Sequence, residues 1–133
     1  MADTTKRKVL VVEDDRTLAR LYATKLEKSG YEVEVAFDGK ECLEKVGSFQ
    51  PDVVLLDIII PKIDGFAVLE QLQKDPQAHQ IAVILLTNLG QDEDVAKGKQ
   101  LGARDYLVKS QFTPAEIVKK MEAALGKVVG SSL

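Results

Sequence analysis

The chain has 133 residues, 45% of them hydrophobic, which suffices for one globular core and is too short for two ordinary domains. Its 21 acids outnumber 18 Lys and Arg for a net charge of -3, so the chain lacks the basic excess needed to hold phosphate backbones or anionic lipid. A single cysteine, Cys42, excludes an internal disulfide and a cysteine metal cluster.

In chain order, short apolar runs alternate with helix patterns. The N-terminus, MADTTKRKVLVVEDD, has no signal-peptide core, because its apolar run is cut by Glu13. With no run of about 18 apolar residues, a soluble cytoplasmic protein is expected. VLVV (9–12) is the first predicted strand. Leu18, Leu21, Tyr22, Lys25 and Leu26 then follow the spacing of a helix, which Gly30 closes with a left-handed residue. The second strand, YEVEVA (31–36), sets Tyr31, Val33 and Val35 against Glu32 and Glu34, so one face meets water and it reads as an edge. Asp38 caps a helix through GKECLEKV. VVLL (53–56) is the third strand, and Asp64 caps GFAVLEQLQKD, which must stop near Pro76. IAVILLT (81–87) is the fourth strand. The next helix, DEDVAKGKQL, begins with acids and ends at Gly102, as the helix dipole prefers. DYLVK (105–109) is the fifth strand. In TPAE, Thr113 is the N-cap, Pro114 the first helical residue and Glu116 the closing member of a capping box.

Five strands alternating with five helices predict a parallel sheet covered on both faces. VLVV and VVLL are apolar throughout, as central strands are. The expected α/β fold is a doubly wound sheet in the order 2-1-3-4-5, one domain over 7–126 with flexible tails at 1–6 and 127–133.

That fold places function beyond the carboxyl ends of strands one and three, where strand order reverses. Glu13, Asp14 and Asp15 follow one strand and Asp57 the other. At an effective dielectric near 20, like charges about 4 Å apart repel by roughly 4 kcal/mol, so the gathered acids must protonate or hold a cation. Oxygen ligands suit Mg2+ or Mn2+. Zinc would want His or Cys, and His79 lies far off in the DPQAHQ connection. Thr87 and Lys109 close strands at the same edge, and a hydroxyl with an ammonium beside a metal-bound carboxylate makes a phosphoryl site. The chemistry indicated is attack by Asp57 on an activated phosphoryl group.

VLVVEDD, DVVLLDIIIPKIDGF, ILLTN and GARDYLVK, in this order and spacing over about residues 8–126, resemble the receiver domain of two-component response regulators, a CheY-like fold. The resemblance implies that Asp57 is phosphorylated by a histidine kinase, a phosphotransfer protein or a small phosphodonor. It implies that Glu13, Asp14, Asp57 and the backbone carbonyl of Ile59 hold Mg2+, and that Thr87 and Lys109 contact the phosphoryl group. Thr87 and Tyr106 would be the switch, Tyr106 turning inward after phosphorylation to alter the face of the fourth helix, fifth strand and fifth helix. Such a chain is a phosphoacceptor with self-dephosphorylation rather than an enzyme, a monomer or weak homodimer without nucleic-acid or membrane contacts of its own.

Several residues depart from the common receiver pattern. Ile60 and Ile63 replace methionines, a swap of similar volume. Ser110 replaces a proline that follows the lysine through a cis bond. A cis bond to a non-proline residue costs about 2.5 to 4 kcal/mol, so a trans Lys109–Ser110 bond is expected. Asn88 replaces a small residue. Ile59 and Leu89, where receivers flank the attacking water, are apolar and cannot position it, so slow self-dephosphorylation is expected. The alternative is a degenerate receiver acting as a phosphorylation-independent interaction module, with Asn88 and Ser110 as its support. Other motifs fail: KGKQ lacks the spacing of a phosphate loop, and DED (92–94) lacks the glycine and glutamate of a calcium loop. An aspartyl-phosphate phosphatase would need an acid where Ile59 stands.

Overall fold

The two runs that are apolar at every position form the middle of a parallel sheet, as burial on both faces requires. The structure, a computed structural model, describes residues 6–126. Its strands are β1 (Lys8–Val12), β2 (Glu32–Ala36), β3 (Val53–Leu56), β4 (Ala82–Thr87) and β5 (Asp105–Val108), in the order β2-β1-β3-β4-β5. All four pairings are parallel. The helices are α1 (Arg16–Lys28), α2 (Gly39–Phe49), α3 (Gly65–Lys74), α4 (Asp92–Gln100) and α5 (Pro114–Ala124). The expected order and element count both hold. Of the expected tails at 1–6 and 127–133, all but Lys6 lie outside the described residues.

Alternation along each strand divides the core into two layers. Leu10, Val12, Val54, Leu56, Val83 and Leu85 face one way, against Cys42, Phe49, Leu69 and Leu72 of α2 and α3. Val9, Val11, Val53, Leu55, Ile84 and Leu86 face the other way, against Tyr22 and Leu26 of α1 and Ile117 and Met121 of α5. At the edge, Glu32 and Glu34 of β2 are exposed while Val33 and Val35 are half-buried. Among the described residues no helix is long and apolar enough to cross a membrane.

Helix starts follow their capping chemistry. Asp15, Asp38 and Asp64 each accept a first-turn N–H, from Leu18, Glu41 and Ala67. Thr113 and Glu116 form the reciprocal capping box. Gly30 takes a φ of +100°, the left-handed turn expected after α1.

Four local features differ from the sequence pattern. Leu21 sits at helical spacing with the apolar stripe of α1 yet is 50% exposed, because the stripe that faces the sheet is Ala19, Tyr22 and Leu26. Tyr31 precedes β2 rather than opening it; its ring is buried and its hydroxyl donates to Glu122 of α5 at 2.7 Å. Helix α2 continues past Val46 to Phe49, whose buried ring holds the extra turn, and ends on Gln50 in the left-handed region (φ 55°). Lys109 lies one residue beyond β5, at the start of a short 3-10 turn, Lys109–Gln111.

Leu69→Ala empties a fully buried position on α3 and is expected to cost about 2 to 5 kcal/mol, whereas Leu21→Ala should cost under about 0.5 kcal/mol. Urea unfolding of the two variants checks this; equal losses would place Leu21 in the core.

Candidate functional site

Parallel strands deliver their carboxyl ends to one edge, and the register decides what meets there. Val12 pairs with Leu56, so Glu13 and Asp57, the next residue of each strand, arrive side by side. The ladder continues past the strands, with Asp57 N–H donating to the Val12 carbonyl at 3.1 Å. One carboxylate oxygen from each of Glu13, Asp14 and Asp57 lies within 4.8 Å of the others. Glu13 is 3% and Asp57 5% exposed, while Asp14 faces solvent.

Lys109 enters this group from the turn after β5. Its ammonium stands 2.6 Å from Asp57 Oδ2 and also donates to Glu13 Oε1. The other oxygens are engaged too: Asp57 Oδ1 accepts the Ile59 N–H at 3.2 Å, and Glu13 Oε2 accepts the Asp15 N–H at 3.0 Å. Both buried carboxylates are therefore held at each oxygen. Burial pushes the Glu13 carboxyl above its ordinary 4.5, with Lys109 and the Asp15 N–H opposing. Burial also works against the Lys109 charge, but the bonds to Asp57 and Glu13 outweigh it and hold the ammonium above 10.5.

Three acids against one ammonium leave an excess of negative charge at short range. An all-oxygen set with a solvent-facing member fits a hard divalent cation that keeps several waters. Ile59 follows two residues after Asp57 and is 62% exposed at the rim.

The remaining expected residues sit on the two neighbouring strands, β4 and β5, and none of their side-chain hydrogen bonds reaches Asp57 or Lys109. Thr87 is fully buried at the end of β4, where its Oγ1 accepts the Leu89 N–H at 3.4 Å, a bond within its own loop. Tyr106 on β5 is 8% exposed, so its ring lies inside. Its hydroxyl donates to the Leu89 carbonyl, and burial, with Asp94 and Asp57 adding, pushes the phenol up to about 12. The Lys109–Ser110 bond is trans, since no described peptide is cis.

Two glycines shape the site in ways that residue chemistry alone did not reveal. A side chain on Gly65 would collide with the backbone of Asp57 and Ile58, so the start of α3 rests directly on the loop that carries Asp57. A Cβ on Gly98 would stand 2.5 Å from Leu85 Cδ1 and 3.0 Å from the Tyr106 ring, so α4 leaves a slot for that ring. The DG pair at 64–65 and a glycine inside the polar helix DEDVAKGKQ were the available signals.

A sequence model described as the response regulator receiver domain matches residues 9–122. The chain is 41% identical over 121 residues to a probable transcriptional regulator ycf27 of Guillardia theta, covering 91% of this chain and 46% of that protein. It is 38% identical over 119 residues to the alkaline phosphatase synthesis transcriptional regulatory protein PhoP of Bacillus subtilis, covering 90% of this chain and 48% of the relative. The chain thus spans about half the length of these curated relatives. Among solved structures, the chemotaxis response regulator CheY4 of Vibrio cholerae superposes with a TM-score of 0.84 at 32% identity, over 90% of this chain and 99% of that one.

Lys109→Met removes the cation from two buried carboxylates and is expected to cost about 3 kcal/mol near neutral pH. Burial already makes Glu13 bind a proton more readily folded than unfolded, and losing Lys109, which opposes that, raises its pKa further in the variant, so the loss should shrink as pH falls toward 4.5. Urea titrations of both proteins across that range measure it; a loss that grows on acidification would contradict this electrostatic account.

Proposed function

The chain belongs to the response regulator receiver domain family, and on that premise we propose that Asp57 is its phosphoacceptor and that phosphorylation there switches a protein-interaction face. The observation that carries this is the Lys109 ammonium 2.6 Å from Asp57 Oδ2, with Glu13 and Asp14 converging on the same point. A carboxylate oxygen of Asp57 attacks phosphorus, the bond from phosphorus to the donor breaks, and the leaving group departs with its electron pair. The donor is a histidine kinase, a phosphotransfer protein or a small phosphodonor. Glu13, Asp14, Asp57 and the carbonyl of Ile59 would hold Mg2+, or Mn2+, which when bound supplies charge neutralisation for acids and phosphoryl oxygens alike.

The chain's own groups do the rest. Bonds to both oxygens fix the Asp57 carboxylate, so little reorganisation is left for the reaction. Lys109, held on Asp57 beforehand, is placed to take a phosphoryl oxygen as negative charge arrives. Thr87, free to exchange its bond to Leu89 N–H, takes another. Movement of Thr87 couples to Tyr106 through the Leu89 loop, which both residues touch. Phosphorylation has only to favour the inward ring over its alternative, and so change the surface of α4, β5 and α5. The protein partner at that face is the output, in a cytoplasmic setting, with no enzymatic turnover beyond the chain's own phosphorylation and dephosphorylation. Lys109 reaches Asp57 although Ser110 follows it in trans, which weighs against the phosphorylation-independent module.

Incubation with acetyl phosphate and Mg2+ is expected to add one phosphoryl group to the intact mass, and none to Asp57→Asn. Uptake by the variant at the same rate would move the acceptor elsewhere, and no uptake by either would favour the interaction module. The phosphorylated protein should decay slowly because apolar Ile59 and Leu89 flank the site. The double variant Ile59→Asn, Leu89→Glu should lose its phosphoryl group at least about tenfold faster, since a group that positions the water is typically worth 10²-fold or more. An unchanged half-life would reject that role.

A further inference from the structure

The loop after β4 and the turn after β5 are joined by one bond between residues 22 positions apart: Ser110 N–H donates to Asn88 Oδ1 at 3.1 Å. A backbone amide only donates, so the Asn88 carboxamide must present its oxygen. A proline at 110 would have no N–H to offer. The two unusual residues flanking the site are thus the two halves of one contact.

Its location gives it a consequence. The last register pair between β4 and β5 is Thr87 with Val108, and β5 is an edge strand with a single neighbour. Beyond that pair, the turn carrying Lys109 has its own closure, Phe112 N–H to the Lys109 carbonyl at 3.3 Å. The bond from Ser110 to Asn88 extends the connection one step past the ladder. The backbone of Lys109 is consequently fixed on both sides, by the strand pair before it and the side-chain tie after it. A lysine reaches its partners through a flexible four-carbon stem, and where that stem is rooted decides where its ammonium is found.

We propose that Asn88 is a positioning residue, whose carboxamide holds the Ser110 amide and so keeps the Lys109 ammonium over Asp57. This rests on reading Asp57 as the phosphoacceptor and adds a residue that acts on it through Lys109. An exposed neutral hydrogen bond of this kind corresponds to a change of about three- to tenfold in rate.

The test compares Asn88→Ala, which removes the acceptor, with Asn88→Asp, which keeps an acceptor oxygen on the same stem, and Ser110→Ala, which keeps the backbone donor. Uptake from acetyl phosphate with Mg2+ is followed by intact mass over a range of donor concentrations. Asn88→Ala should lower the maximal rate about three- to tenfold with little change in half-saturation. Asn88→Asp should recover most of the maximal rate, its added negative charge raising the half-saturation for the anionic donor, and Ser110→Ala should match the unsubstituted protein. In a Lys109→Met background, Asn88→Ala should have no further effect. A full rate in Asn88→Ala, or the same loss without Lys109, would overturn the proposal. An independent readout is the Lys109 ammonium resonance in lysine-labelled protein, which should broaden or vanish in Asn88→Ala and persist in Asn88→Asp. If the unsubstituted protein takes up no phosphoryl group, the phosphoacceptor reading fails, and an unperturbed Lys109 signal in Asn88→Ala would then overturn the tie by itself.

Discussion

Like charges gathered at the mouth of the sheet are the constraint around which this molecule is built. The pairing of β1 with β3 brings Glu13 and Asp57 out of water side by side, with Asp14 at the rim. At about 4 Å such charges repel by roughly 4 kcal/mol per pair at an effective dielectric near 20, a large fraction of a domain's net stability. Lys109 offsets part of that repulsion and leaves an excess of negative charge that a hard cation fits. On the function proposed for Asp57, the same excess would make the site responsive, because an arriving phosphoryl group and cation would change the local charge.

The rest of the fold holds that arrangement rigid. Central strands buried on both faces cannot slip without turning Leu10 and Val12 into the wrong layer. Close contact at Gly65 fixes the loop below Asp57, and the space at Gly98 admits the Tyr106 ring between α4 and β5. The Leu89 loop is the part that joins site to surface, since Thr87 and Tyr106 both bond to it.

Much of this was legible in the sequence because it depends on local rules. Continuous apolar runs marked the central strands, the alternation in YEVEVA marked an edge, and Asp38, Asp64 and Thr113 announced helix starts through the chemistry of orphan N–H groups. Convergence of Glu13, Asp14 and Asp57 followed from topology, since a strand-order reversal puts the ends of β1 and β3 together. What stayed hidden depends on long-range packing. Helical spacing alone cannot say that Leu21 points outward, because the face that meets the sheet is set by the angle at which α1 lies. The extra turn of α2 is held by the burial of Phe49, and Tyr31 is drawn from the strand toward Glu122. Asn88 and Ser110 each looked like an isolated departure, and their bond crosses 22 positions that no local rule connects.

The convergence of Glu13, Asp14 and Asp57 on one point predicts a single cation site joined to Asp57. Calorimetric titration of Mg2+ into the protein, and into Glu13→Gln and Asp14→Asn, measures it most directly. One ion per chain is expected, with affinity reduced at least about tenfold in each variant, a change of about 1.4 kcal/mol. Binding that is absent from the unsubstituted protein, or equally tight in all three, would contradict it.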